Sequence, residues 1–232
     1  MRKLSEFIQP NQKVSLLRRR LAHAVRFIER PNYPAIDTKS LLDSFFPDLN
    51  LVPQSVCLDI GANEGYVSLI LGQSGATVIG FEPNPWAAAR AVRRVRNHNS
   101  VHIVVAAVGE RGGVRNLFFP SEYSKAPELH SGSASIMRRN SSISASSSIQ
   151  VWTVSMSEVL DQHDEIEFLK IDAEGAESEL WPAIEKNMEK IRFLAVETHG
   201  RLFEGEEQDW LLEAKRFIAV NALEDRWRLD WP

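Results

Sequence analysis

The sequence predicts an α/β domain: a mostly parallel sheet with helices on both faces. Three observations carry this. From residue 55 onward, apolar runs of five to eight residues alternate with stretches of helical periodicity. The first apolar run, Val56-Cys57-Leu58-Asp59-Ile60, breaks at once into a tight glycine-containing loop, Gly61-Ala62-Asn63-Glu64-Gly65, and then into Tyr66-Val67-Ser68-Leu69-Ile70-Leu71. Strand, sharp turn and helix in that order begin a βαβ unit. Finally, acids stand at the ends of several apolar runs, where open α/β sheets place their ligands.

Taken in order, residues 13–30 read as an amphipathic helix. Val14, Leu17, Leu21, Ala24, Val25 and Ile28 fall on one side, with Arg18, Arg19 and Arg26 elsewhere. Residues 31–54 read as a linker with four prolines around a short helix near 38–46. Residues 1–54 are thus expected to form a helical extension and linker, and 55–232 the α/β domain. Strands are expected at 55–60, 77–82, 101–108, 114–119, 149–154, 166–172 and 192–199. Helices are expected at 65–73, 85–98, 156–161, 175–190 and 206–219. A last strand is expected at Arg226 to Asp230. Residues 131–148 contain nine serines. A surface loop and a lid over a site are equally consistent with that composition, and Arg138 and Arg139 suit a phosphate or an acidic sugar.

Composition narrows the function classes. The chain has 232 residues, is 44% hydrophobic and carries a net charge of −4. That favours one domain with a substantial core and gives no overall attraction to nucleic acid. The charge is uneven: residues 1–30 hold eight Lys/Arg against two Glu, leaving the remainder at −10. The basic helix is packed on the domain or is a contact between copies or with an acidic surface. Cys57 is the single cysteine, so no disulfide forms within the chain, and a reducing, cytoplasmic setting is expected. No 18-residue apolar run predicts a membrane span, and the basic N-terminus lacks the apolar stretch of a secretory leader.

The acids at the strand ends specify the ligand. Dinucleotide sites seat a pyrophosphate on the helix N-terminus behind a G-x-G-x-x-G turn. Here the order is Asp59-x-Gly61-x-x-x-Gly65, with an anion at the mouth. Asp59 would repel a pyrophosphate and attract the ammonium and sulfonium of S-adenosylmethionine. Glu82, closing Thr77-Val78-Ile79-Gly80-Phe81, suits a ribose diol. Alternation puts Lys170 and Asp172 on one face, with Asp172 at the carboxyl end of its strand. Glu174 and Glu177 begin the next helix and suit its dipole. Glu197 and His199 share a face at the end of the following strand. Asp172, Glu197 and His199 are therefore expected to converge: on a divalent cation such as Mg, around His199 as a general base, or as a satisfied polar cluster that only braces the loops.

Three blocks give the chain a resemblance to the FkbM family of S-adenosylmethionine-dependent methyltransferases. They are Leu58 to Tyr66 continuing to Gly80-Phe81-Glu82-Pro83-Asn84-Pro85, Leu169 to Glu177, and Val196-Glu197-Thr198-His199-Gly200. The resemblance runs from about 55 to 200. It implies a class I, Rossmann-like methyltransferase fold and O-methylation of a hydroxyl on a sugar, glycan or natural product. It also implies that Asp59, Gly61, Asn63 and Gly65 surround the methionine end of the cofactor, that Glu82 holds the ribose, and that Ala106 and Ala107 lie beside the adenine. Asp172 or His199 would take the proton, and Glu197 would orient the acceptor or a bound ion. Two other classes compete. A nicotinamide oxidoreductase of the short-chain type needs Tyr-x-x-x-Lys, but Tyr33, Tyr66 and Tyr123 are followed four residues on by Asp37, Ile70 and Pro127. A non-catalytic methyltransferase-like module would use the basic helix for docking.

Overall fold

The computed structural model describes residues 49–119, 134–137 and 148–196, with the backbone of 220–221 and 226–227. Its main sheet has seven strands. Five are parallel: β1 (Val56–Ile60), β2 (Thr77–Phe81), β3 (Val101–Val104), β7 (Ile166–Ile171) and β8 (Ile191–Val196). Two short strands, β9 (Val220–Asn221) and β10 (Arg226–Trp227), extend the β8 edge antiparallel, giving the order β10-β9-β8-β7-β1-β2-β3. A three-stranded sheet stands apart, in the order β4 (Ala107–Gly109), β6 (Ser148–Ser155), β5 (Gly113–Phe118).

Helices cover both faces. On one, α1 (Tyr66–Gln73) and α2 (Pro85–Val95) bring Leu71 and Val95 onto Cys57, Val78, Phe168 and Phe193. On the other, α3 (Met156–Asp161) and α4 (Glu177–Lys186) pack Met156, Leu160, Leu180 and Ile184 onto Leu58, Ile60, Leu169 and Ile171. Cys57 is fully buried, and burial pushes its thiol up to about 12, which fits a small core hydrophobe.

Local chemistry explains the boundaries. Gly65 starts α1 with φ of 78°, and a Cβ there would fall 2.9 Å from the Ala91 Cβ of α2. Asn84 caps α2, its side chain accepting from the Trp86 and Ala87 amides, with Pro85 in the first turn. A reciprocal Ser155–Glu158 box starts α3.

The expected strand at 101–108 is divided. A tight turn, in which the Ala106 amide donates to the Val104 carbonyl, ends β3 and sends β4 across to β6. The short strand β9 was not among the expected elements. The expected helices at 13–30, 38–46 and 206–219 lie outside the described residues. So do Arg138, Arg139 and most of the serine-rich segment. Among the described residues, no helix is long and apolar enough to cross a membrane.

Candidate active site

The carboxyl ends of β1, β2 and β7 open into one cleft, with β4 and β5 of the small sheet forming its far wall. Its space, open mouth included, is about 540 Å³. Gly61, Asn63 and Glu82 line one side, Asp172, Ala173 and Glu174 another, and Ala107, Val108, Leu117 and Ile136 an apolar wall.

The β1–α1 loop is shaped by what it packs against. Gly61 has φ of 76°, and a Cβ there would lie 1.9 Å from the Asp172 carbonyl oxygen. Only glycine lets the two loops approach this closely. The Asp172 amide donates to the Ile60 carbonyl at 3.0 Å, closing the contact. Asn63 adopts a left-handed φ of 49°, and its Oδ1 is buried with no hydrogen-bond partner among the described residues. Such an acceptor beside a cleft suits an incoming donor.

Glu82 crosses from the end of β2 to brace this loop. Its carboxylate accepts from the Asn63 amide at 2.8 Å and the Asn84 amide at 2.7 Å. It is buried, 6% exposed, yet lines the cleft. Burial pushes its carboxyl up to about 7; the two amides and the Lys170 ammonium oppose that rise, and Asp59 adds to it.

The β7–α4 loop uses a different brace. The Glu177 carboxylate accepts from the Ala173 and Gly175 amides at 2.9 and 3.1 Å. Glu177 is therefore a structural acid at the start of α4.

Asp59 needs a correction of place. Sequence reasoning puts an anion at the mouth of the loop, but the side chain is fully buried beneath it and does not line the cleft. The reason is register. Parallel pairing sets Asp59 opposite Lys170 on the same sheet face. The Lys170 ammonium lies 3.3 Å from Asp59 Oδ1, while Ser68 Oγ donates to Oδ2 at 2.6 Å. Gly65 likewise lies behind the cleft, against α2.

Lys170 is the residue to which sequence reasoning gave no role. It donates to the Gly61 carbonyl at 2.7 Å and stands 3.6 Å from Asp172 Oδ2. Alternation already placed it with Asp172; nothing local announced Asp59 as its neighbour. Leu117 and Ile136 were also missed as cleft residues. Ile136 belongs to the serine-rich segment, whose Ser135 pairs with Phe118.

Glu197 and His199 lie outside the described residues, so Asp172 is the one described member of that triad. Among the described residues, no cluster of three His, Cys, Asp or Glu side chains is placed to hold a metal.

Residues 59–218 match the Methyltransferase FkbM domain, which is more than half of the chain. No curated protein matches the sequence. Two solved structures are similar in fold at low scores. Monomeric WbdD shares 11% identity at a TM-score of 0.36, covering 85% of this chain and 33% of its own. The precorrin 8w decarboxylase of Methanobacterium thermoautotrophicum shares 12% at 0.37, covering 80% and 70%. The chain thus spans about a third of WbdD. The family match decides the assignment: this chain belongs to the FkbM methyltransferase family.

Proposed function

We propose that this FkbM methyltransferase uses S-adenosylmethionine to methylate a hydroxyl oxygen of a small molecule or glycan. The observation that carries the reading is the junction of two loops at one cleft, with Glu82, Asn63 and Asp172 facing an apolar wall. That set fits the cofactor. Glu82 offers a carboxylate to a ribose diol, and the Asn63 Oδ1 acceptor suits an ammonium. Gly61 lets the two loops meet at the cleft, and Ala107, Val108, Leu117 and Ile136 offer apolar surface to a base. Asp59 and Gly65 support the site from beneath, where Asp59 is paired with Lys170 and Gly65 lets α1 pack on α2.

S-adenosylmethionine supplies a methyl already made electrophilic by its sulfonium. The protein's part is to place the acceptor oxygen and take its proton. Positioning alone contributes on the order of 7–11 kcal/mol, and a base adds roughly 10²–10⁴-fold. Asp172, at the end of β7 with its side chain partly open to the cleft, is the proposed proton acceptor. His199 is the second candidate for that role. Glu197 is proposed to orient the acceptor hydroxyl or, with Asp172 and His199, a divalent cation such as Mg.

Calorimetric titration with S-adenosylhomocysteine tests the cofactor, with micromolar binding expected and NADH binding absent. NADH binding without S-adenosylhomocysteine binding would refute the reading. Incubation with labelled S-adenosylmethionine and cell-wall glycans tests the acceptor, through label that is stable to mild base, as an ether is and an ester is not. The basic segment 13–30 is proposed as a contact between copies, and a cytoplasmic setting is proposed from the lone cysteine.

A further inference from the structure

We propose that Lys170 is the positioning residue of this site: one ammonium ties the glycine loop to the strand-end carboxylates and so fixes where Asp172 presents its oxygens. The inference rests on the cofactor reading above and goes beyond it. Among the described residues, the Lys170 ammonium stands beside two carbonyls and two carboxylates. The Gly61 carbonyl accepts at 2.7 Å and the Ile60 carbonyl at 3.4 Å. Asp59 Oδ1 lies at 3.3 Å and Asp172 Oδ2 at 3.6 Å.

These groups belong to both sides of the cleft. Ile60 and Gly61 begin the loop that faces the cofactor, and Asp172 begins the loop that faces the acceptor. Their backbones meet where Gly61 has no room for a Cβ, so a shift in one is transmitted to the other. Lys170 is largely buried, with 16% of its side chain exposed, and Asp59 is wholly so. A buried ammonium interacts with such acceptors more strongly than its equivalent in water. Asp59, on this view, is the counter-ion that keeps the ammonium charged and in place. It acts on the ligand through Lys170. In this role Lys170 acts through Gly61 and Asp172.

The test separates positioning from mere charge balance. Lys170→Met alone would leave Asp59 buried without its cation, so it is combined with Asp59→Asn, removing both charges. Thermal unfolding reports the fold and calorimetry with S-adenosylhomocysteine reports the site. The double variant is expected to bind at least tenfold more weakly than wild type. Asp172→Asn, expected to change affinity at least fivefold in wild type, should change it less than twofold in the double variant, because the two residues act as a unit. Wild-type affinity in the double variant, or the same Asp172→Asn effect in both backgrounds, would overturn the proposal.

Should the double variant not fold, Lys170→Arg decides. It keeps the charge, but its longer planar head cannot take the same place between Gly61 and Asp172. It is expected to keep the wild-type unfolding temperature within a few degrees and lose at least fivefold in affinity. Unchanged affinity would show that charge alone suffices. Failure of the wild-type protein to bind S-adenosylhomocysteine would refute the cofactor reading instead, so the two failures are distinct.

Discussion

The β1–α1 and β7–α4 loops are built alike and used differently. Each follows a parallel strand at its carboxyl end. Each holds one non-glycine residue at left-handed φ, 49° at Asn63 and 51° at Glu174, with a positive-φ glycine one or two positions on. Each has its amides tied by a buried glutamate. The difference is where that glutamate comes from. Glu177 belongs to the helix its own loop begins, and its bonds with the Ala173 and Gly175 amides return to that loop. Glu82 arrives from the neighbouring strand, bonds one amide of the glycine loop and one of its own, and still lines the cleft. An acid that closes its own turn is a brace. An acid that bridges two segments at a cavity wall is placed to be shared with a ligand.

The comparison breaks first at the point where the loops touch. Gly61→Ala would drive a Cβ into the Asp172 carbonyl in a backbone conformation alanine disfavours. Strain and overpacking together should remove at least about 3 kcal/mol of stability, read by urea unfolding. A loss below about 1 kcal/mol would mean the loops are not locked together.

The next two variants contrast the two acids. Glu82→Gln should weaken S-adenosylhomocysteine binding by roughly 30- to 100-fold, about 2–3 kcal/mol, through the lost charge-assisted acceptor. Its effect on unfolding should be smaller. Glu177→Ala should do the reverse, costing about 1–3 kcal/mol of stability by leaving two loop amides unsatisfied, with a smaller change in affinity. Equal profiles would erase the distinction between brace and binding group.

Acidity sharpens the same contrast, because the Glu82 carboxyl is pushed up to about 7. If the ligand donates to the charged form, affinity should fall about tenfold per pH unit below 7, roughly 1.4 kcal/mol per unit, and level off above it. The sign for the free fold is opposite. The folded carboxyl titrates above its unfolded value, so the destabilisation is absent below the usual carboxylate range, grows as pH rises through about 7 and is complete beyond it. Its full size is about 3 kcal/mol. Titrations at several pH values, set beside unfolding of the free protein, test both signs.

Much of this architecture was legible in the residues. The periodicity located α3 at 156–161, the Asp-x-Gly turn gave α1, and Phe81-Glu82-Pro83-Asn84-Pro85 contains its own explanation: acid, cap, first-turn proline. What stayed hidden depends on neighbours distant in sequence. Val104-Val105-Ala106-Ala107-Val108 is uniformly apolar, with no glycine or proline to announce its turn, so one strand was expected where two exist. Ile136 and Leu117 became cleft residues only because the small sheet stands beside the large one. The pairing of Asp59 with Lys170 is a matter of register between strands far apart along the chain, which alternation within either cannot specify.

That register has a consequence for synthesis. Lys170 and Ile60 are separated by 110 positions, whereas β1 and β2 are close neighbours in sequence. The β1–β2 hydrogen bonds can form early on the ribosome; the β1–β7 ones must wait for a large loop to close, a slow step for any parallel pairing. Until then β1 is an open edge carrying an aspartate without its lysine. A fragment ending before residue 166 should therefore be sticky and ligand-blind, and a ligand that recognises only the finished junction will protect the nascent domain by mass action.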